Sequence, residues 1–283
     1  MRNMHQSKWV RFGLAGGAGG LLAGMAYHLL EPRGAALTWI VGVCLVCVMA
    51  AGAIVWAQHR YQGRAGLPWG PLARCAAVTL PGGALAGFIA YHSGFFTSGV
   101  LGLGSDYGRF FGWVIAGALA GWAVAASVPN LKRGHAALGG AAGGLAGCSV
   151  MYLLGHSLVA GLAVQGLAIG VCVALVEVVF RKAWLEYEAL PVSEGVTLRK
   201  RVRRVVALGD KPIVFGAGRA VDIVLADGMG YPEEAARLEV RGARIVLEDR
   251  INRLSRDLQN GSRGQVGNVE YLVRESLPTA SAP

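Results

Sequence analysis

Acidic side chains are nearly missing from the first 180 residues of this 283-residue chain: Glu31, Asp106 and Glu177 stand alone there beside ten Lys and Arg. Residues 181 to 283, in contrast, hold fourteen acids and seventeen basic residues. A water-exposed surface needs charge spread across it, so this scarcity excludes an ordinary globular domain over the first 180 residues. Catalytic motifs are lacking as well. The sequence has no phosphate loop, no HExxH, no GxSxG, and no paired carboxylates at helical spacing beside a nucleophile. This predicts a protein that is not an enzyme and needs no cofactor. Cysteine is sparse, and Cys44, Cys47, Cys75, Cys148 and Cys172 all fall in or beside apolar segments. A thiol in lipid is hard to ionise, so the CxxC of GVCLVCV reads as packing rather than redox chemistry. Basic residues are not interleaved with the aromatic platforms that single-stranded nucleic acid needs, and no nucleic-acid partner is expected.

Glycine is abundant: 43 residues, in a chain that is 54% hydrophobic, 16% charged and of mean hydropathy +0.46. Residues 135 to 156 read HAALGGAAGGLAGCSVMYLLGH, a helix-length stretch with six glycines and no formal charge. In water each glycine costs ~1 kcal/mol against alanine in a helix interior. In hydrocarbon the backbone must bond within the helix whatever its composition, and small residues let helices approach closely. Gly139, Gly143 and Gly147 lie four apart on one face. Similar stripes recur at Gly16, Gly20 and Gly24, at Gly83 and Gly87, at Gly117 and Gly121, and at Gly166 and Gly170. Such a glycine zipper is a packing face, compatible with a homo-oligomer as well as with a monomeric bundle.

Stretches of about twenty near-chargeless residues predict six transmembrane helices, at roughly 10–30, 36–57, 72–95, 108–128, 135–155 and 158–180. Pro81 should kink the third. Basic residues in the connecting loops split ten against two, with only Arg33 and Arg109 on the minority side. The lipid bilayer is therefore the first partner, and both termini are expected in the cytoplasm of a multi-pass inner-membrane protein. The odd helices carry GGLLAGMAYH, GGALAGFIAYH and GGLAGCSVMYLLGH, which reads as one hairpin used three times. His28, His92 and His156 recur at the outer ends, 64 residues apart. Around a threefold axis they would gather a metal ion or pass a proton; otherwise they are boundary residues copied with the hairpin. Glu177 is expected to pair locally with Arg181 at i+4.

The transmembrane part is taken as residues 1–182, followed by a linker at 183–194. From residue 195 the pattern turns to period two with turn punctuation, in TLRKRVRRVVAL, KPIVFG, DIVLA, AARLEV, ARIVLED and VEYLVRE, which predicts a small all-β sandwich over 195–277 and a disordered tail at 278–283. The cluster Arg199, Lys200, Arg201, Arg203 and Arg204 either faces anionic lipid or forms a solvated strand face.

The run ALGDKPIVFGAGRAVDIVLADG, with PEEAARLEVRGARIVLED and GQVGNVEYLVRE after it, resembles a forkhead-associated (FHA) domain. Gly216, Asp222, Ile223 and Leu225 match that family's strand-loop-strand signature; Asn260, Gly261, Ser262 and Gly267 match its Asn-Gly-Ser turn and closing Gly strand. Overall the chain is similar to bacterial multi-pass proteins with glycine-rich helices and a terminal FHA-like domain. The resemblance implies a peptide-binding face. The family's phosphate-binding arginine and serine are absent, because Ala217 follows Gly216 and YPEEAARL supplies no serine. Arg219, Asn260 and Ser262 are the residues left for peptide contact, and Glu233 and Glu234 would repel a phosphate. The resulting expectation is a membrane-anchored adaptor that presents a degenerate FHA-like domain to a cytoplasmic protein, without dependence on phosphorylation. The alternative is a transport or channel component regulated by that domain.

Overall fold

The computed structural model describes residues 8–30, 34–62, 64, 66–99, 106–155, 157–180, 183–190, 203–218, 221–226, 229–242 and 244–275. Six helices come first: α1 (Lys8–Leu30), α2 (Ala35–Tyr61), α3 (Trp69–Gly99), α4 (Asp106–Ala125), α5 (Arg133–Leu153) and α6 (Leu158–Phe180). Among the described residues, four of them hold segments long and apolar enough to cross a membrane, at Ala36–Tyr61, Trp69–Gly94, Arg133–Leu153 and Leu158–Val179, and these mark a membrane protein. The expected count was six. Glycines together with Lys8 and Arg11 dilute α1, and the apolar run of α4, Phe110–Ala125, starts only after Asp106 and Arg109.

The helices are small inside and large outside. The buried residues of α5 are Ala136, Gly139, Gly140, Gly143, Gly144, Gly147, Cys148 and Met151, while Leu138 is 70% exposed. In α1 the buried set is Phe12, Ala23 and five glycines, and Leu14, Leu22 and Leu29 point outward. Water would drive the leucines inward, whereas hydrocarbon is indifferent to them and lets the small face govern packing.

Glycines mark where backbones meet. A methyl group added at Gly16, Gly20 or Gly170 would overlap backbone between α1 and α6, and one at Gly117, Gly121 or Gly144 would do so between α4 and α5. Gly19 faces Met49 of α2, Gly87 faces Ile40 of α2, Gly108 faces Gly94 of α3, and Gly143 faces Ile169 of α6. Each helix thus lies against its neighbours in sequence, and α6 returns to α1. Pro81 sits inside α3 without ending it. Two residues earlier, the Thr79 hydroxyl donates to the Cys75 carbonyl at 2.9 Å, within the same helix.

A second compact unit comprises residues 180–283 together with Tyr61–Arg64. Its strands are β1 (Ala183–Ala189), β2 (Arg203–Leu208), β3 (Ile213–Gly216), β4 (Ile223–Val224), β5 (Ala236–Arg241), β6 (Arg244–Asp249), β7 (Leu254–Leu258), β8 (Arg263–Val266) and β9 (Val269–Glu275). They form one sheet in the order β2-β1-β9-β8 and a second in the order β4-β3-β5-β6-β7. β3 and β4 run parallel and every other pair is antiparallel. Leu185, Tyr187, Val206 and Val273 from the first sheet share a core with Ile213, Phe215, Leu238 and Leu247 from the second.

This corrects the expected linker at 183–194, most of which is the inner strand β1, paired with β2 on one side and β9 on the other. In WLEYEA, Leu185 and Tyr187 turn into the core while Glu186 and Glu188, on the other face, are half-buried. Residues 191–194 and the tail at 278–283 lie outside the described residues.

Gly140→Val should lower the thermal stability of the detergent-solubilised protein strongly, by ~2 kcal/mol or more, because its side chain would meet the Gly117 backbone. Gly134→Ala, in the same helix with nothing within 4 Å of the added methyl, should be neutral or stabilising by up to ~1 kcal/mol. Circular-dichroism melts of the two variants check the contrast.

Candidate functional site

The residues that carry the FHA resemblance are engaged in holding the β unit together. Asp222 clamps β3 to β4: its carboxylate accepts from the Val214 N–H at 3.1 Å, and its own N–H donates to the Val214 carbonyl at 2.9 Å. Ile223 and Leu225 then enter the core, 1% and 0% exposed. Gly216 must lack a side chain because the Glu233 carbonyl occupies that space.

The Asn260, Gly261 and Ser262 turn is strapped onto β9. The Asn260 side-chain oxygen accepts from the Glu275 N–H at 3.3 Å, and the Ser262 hydroxyl accepts from the Gln259 N–H at 2.8 Å. Gly261 has φ +87°, its N–H donates to the Val273 carbonyl, and the Val273 N–H returns to Ser262. Of the three expected peptide contacts, these two side chains are therefore bonded within the unit, and Arg219 lies outside the described residues. The acids expected to repel phosphate differ from each other. Glu234 pairs with Arg250 at 3.2 Å, whereas Glu233 lends its backbone carbonyl to the Gly218 N–H. Of the basic cluster, Arg203 is exposed and pairs with Glu186 at 3.2 Å.

Asn268 is the residue that sequence reasoning missed. It is 9% exposed, its side-chain oxygen accepts from the Ala226 N–H at 2.9 Å, and its amide donates to the Leu190 carbonyl at 3.4 Å. The Leu190 N–H donates back to the Asn268 carbonyl at 2.7 Å. One side chain therefore joins the exits of β1 and β4 to the β8–β9 turn. The available signal was a Gly-Asn pair between valines, the mark of a tight hairpin.

β7 is the end strand of its sheet, and its first four residues are exposed. Ile251 and Leu254 stand 39% and 44% exposed there, flanked by the exposed Arg250, Arg253 and Arg256. No described strand pairs with its outer side, and such an edge offers backbone N–H and C=O groups to an incoming extended chain.

In the helical unit, His28 is exposed and packs edge-on against Tyr27 at 5.9 Å; His92 is exposed and lies 4.2 Å from the Phe88 ring centroid. His156 lies outside the described residues, and among those described no group of three or more His, Cys, Asp or Glu is placed to hold a metal ion. Glu177 takes a partner from α1 that its sequence neighbourhood does not suggest. Its carboxylate accepts from the Lys8 ammonium of α1, with the two side chains 8% and 12% exposed, and Arg181 lies outside the described residues. The start of α1 and the end of α6 are brought together by the glycine contacts described above, and with both groups so shielded, either charge left alone there would be costly.

No family model matches the chain, and neither a curated protein nor a solved structure matches it.

Burial pushes the Asp222 carboxyl above its ordinary value of 3.8, against the Val214 N–H and the nearby Arg64 and Lys211, which pull it down. The native state therefore holds this proton more tightly than the unfolded chain. Its contribution to stability falls as pH rises from 3.8 through the raised value, and it remains lower above that. Asp222→Asn keeps an acceptor for Val214 and has no such proton. Thermal unfolding between pH 3.5 and 7 should show a flatter profile for the variant and no loss of stability at pH 7.

Proposed function

We propose that this chain is a non-enzymatic membrane adaptor that presents a degenerate FHA-like β-sandwich to a protein partner in the cytoplasm. On this reading six helices, three copies of one hairpin, cross a bacterial inner membrane with both termini inside. The ten-to-two split of basic residues between the two sides supports that orientation. Glycine contacts between α2 and α3, α4 and α5, and α6 and α1 support hairpins that join in one recurring way.

The observation that carries the reading is the β7 edge, which no described strand covers. The partner it fits is an extended segment with apolar residues for Ile251 and Leu254 and acidic ones for Arg253 and Arg256. The turn bonds of Asn260 and Ser262 support recognition that does not depend on phosphate. The full-length protein in nanodiscs should recover one defined cytoplasmic protein, and the Leu254→Asp, Arg256→Glu double variant should weaken that complex at least roughly tenfold. Equal recovery by both proteins defeats the assignment of the edge.

The alternative reading, a transport or channel component regulated by its β domain, draws on the closed succession of helices. Solute flux across liposomes carrying the purified protein, altered by removal of residues 183–283, would favour it.

A further inference from the structure

A cavity of about 290 Å³ opens inside the helical unit, and it is drawn out along the helices. Its lining on α2 extends from Thr38 to Val46 and on α6 from Leu158 to Gln165, rises of ~12 Å and ~10 Å. Trp113 and Ala116 of α4 and Met151 of α5 add to the inner wall. One end is deep: Val46, Ala116, Leu162 and Gln165 are 3%, 2%, 5% and 1% exposed. The half-buried lining residues Tyr27, Thr38, Trp39 and Leu158 lie at the other end, near where α1 stops and α2 and α6 begin, and the cavity opens there.

Its chemistry divides in the same way. Among the described residues no Lys, Arg, Asp or Glu lines it, so an ion would lose its hydration with no countercharge to meet. The hydroxyl-bearing lining residues, Tyr27 and Thr38, are both at the mouth. Deeper, the walls are aliphatic and aromatic except for Gln165, whose amide nitrogen is turned to the Trp113 carbonyl at 3.2 Å.

Gly42, midway along the α2 lining, is not a packing glycine. A methyl at Gly16, Gly87 or Gly143 would overlap the backbone of another helix, whereas one at Gly42 would meet only the Tyr27 ring within 4 Å, at 3.4 Å. Its missing side chain leaves the chamber wide instead of bringing helices together. An empty space of this size forfeits dispersion contacts along its whole lining. The volume is about twice the ~150 Å³ that suffices for a benzene ring in a dry apolar cavity.

We propose that this cavity binds the end of an unbranched alkyl chain of an amphiphile. The chain terminus lies beside Val46 and Leu162, and the part nearer the polar head leaves past Tyr27 and Thr38. Length, apolar depth and a hydroxyl-bearing mouth all match that shape. The site is independent of any partner of the β unit.

The test uses the full-length protein in phosphatidylcholine nanodiscs and reads photolabelled residues by mass spectrometry. One probe is a phosphatidylcholine with a diazirine at the terminus of one acyl chain; a second carries the diazirine close to the ester. Free fatty acids with the same two placements form the other arm. In wild type the terminal diazirine should label Val46, Met151 or Leu162, which are shielded from bulk lipid, as well as the outward Leu14, Leu22 and Leu138. The diazirine near the head should label Tyr27 or Thr38 and spare the deep wall. Gly42→Leu should cut deep-wall labelling at least roughly fivefold, because its side chain takes the space of the occupant, and leave the outward leucines labelled as before. Deep-wall labelling by the phospholipid assigns the chain to a bilayer lipid, and labelling by the fatty acid alone assigns it to a free amphiphile. The proposal is overturned if neither probe reaches the deep wall, if Gly42→Leu labels it like wild type, or if both diazirine placements mark the same depth. Should Gly42→Leu not fold, the contrast between the two placements in wild type still decides.

Discussion

Backbone meeting backbone is the constraint on which the helical part of this protein depends. Where Gly16 faces Gly166 and Gly117 faces Gly140, no side chain separates the helices. Dispersion between closely fitted surfaces then replaces the hydrophobic effect as the force that joins them. The inverted arrangement of the residues follows from this. Leucines are free to face outward because their surroundings are as apolar as any interior, and the interior is reserved for residues that take little room. The ion pair of Lys8 with Glu177 becomes intelligible on the same basis: α1 and α6 are already in contact along their length, so the two charges meet at the cost of little added ordering.

The β unit is held by different means. Its two sheets close over one core that contains Leu185, Phe215 and Val273, and side-chain-to-backbone hydrogen bonds tie the strand exits together. Asp222 and Asn268 each give a partner to a half-buried backbone N–H. Gly216, Asp222, Ile223 and Leu225 are the residues that make the strand-loop-strand geometry possible, so they answer to the fold whatever the surface does.

Much of the helical part was legible, because spacing alone reveals a small face: glycines four apart share a side of any helix, and a charge-free run of twenty has few other uses. The count of spans was less secure. Glycine lowers hydropathy at the same time as it improves packing, so α1 reads as weaker than its contacts make it. Strand β1 escaped notice because its charged stretch follows directly on the last apolar segment and reads as a connection, although Leu185 and Tyr187 alternate with Glu186 and Glu188. Pairings that span the chain were beyond reach. Nothing near Glu177 points to Lys8, 169 residues earlier, and nothing near Gln165 points to the Trp113 carbonyl. Spatial neighbours of this kind become visible only once the helices are arranged.

The order of strands in the first sheet bears on how the chain is made. β1 is translated before the rest of the β unit, but one of its two neighbours is β9, the last strand described. Until the ribosome has released β9, β1 exposes an unpaired flank that includes the backbone beside Leu185 and Tyr187. The β unit therefore cannot mature strand by strand as it emerges, and a nascent chain stalled or cut short before Val269 would hold an open, sticky ribbon in place of a finished domain.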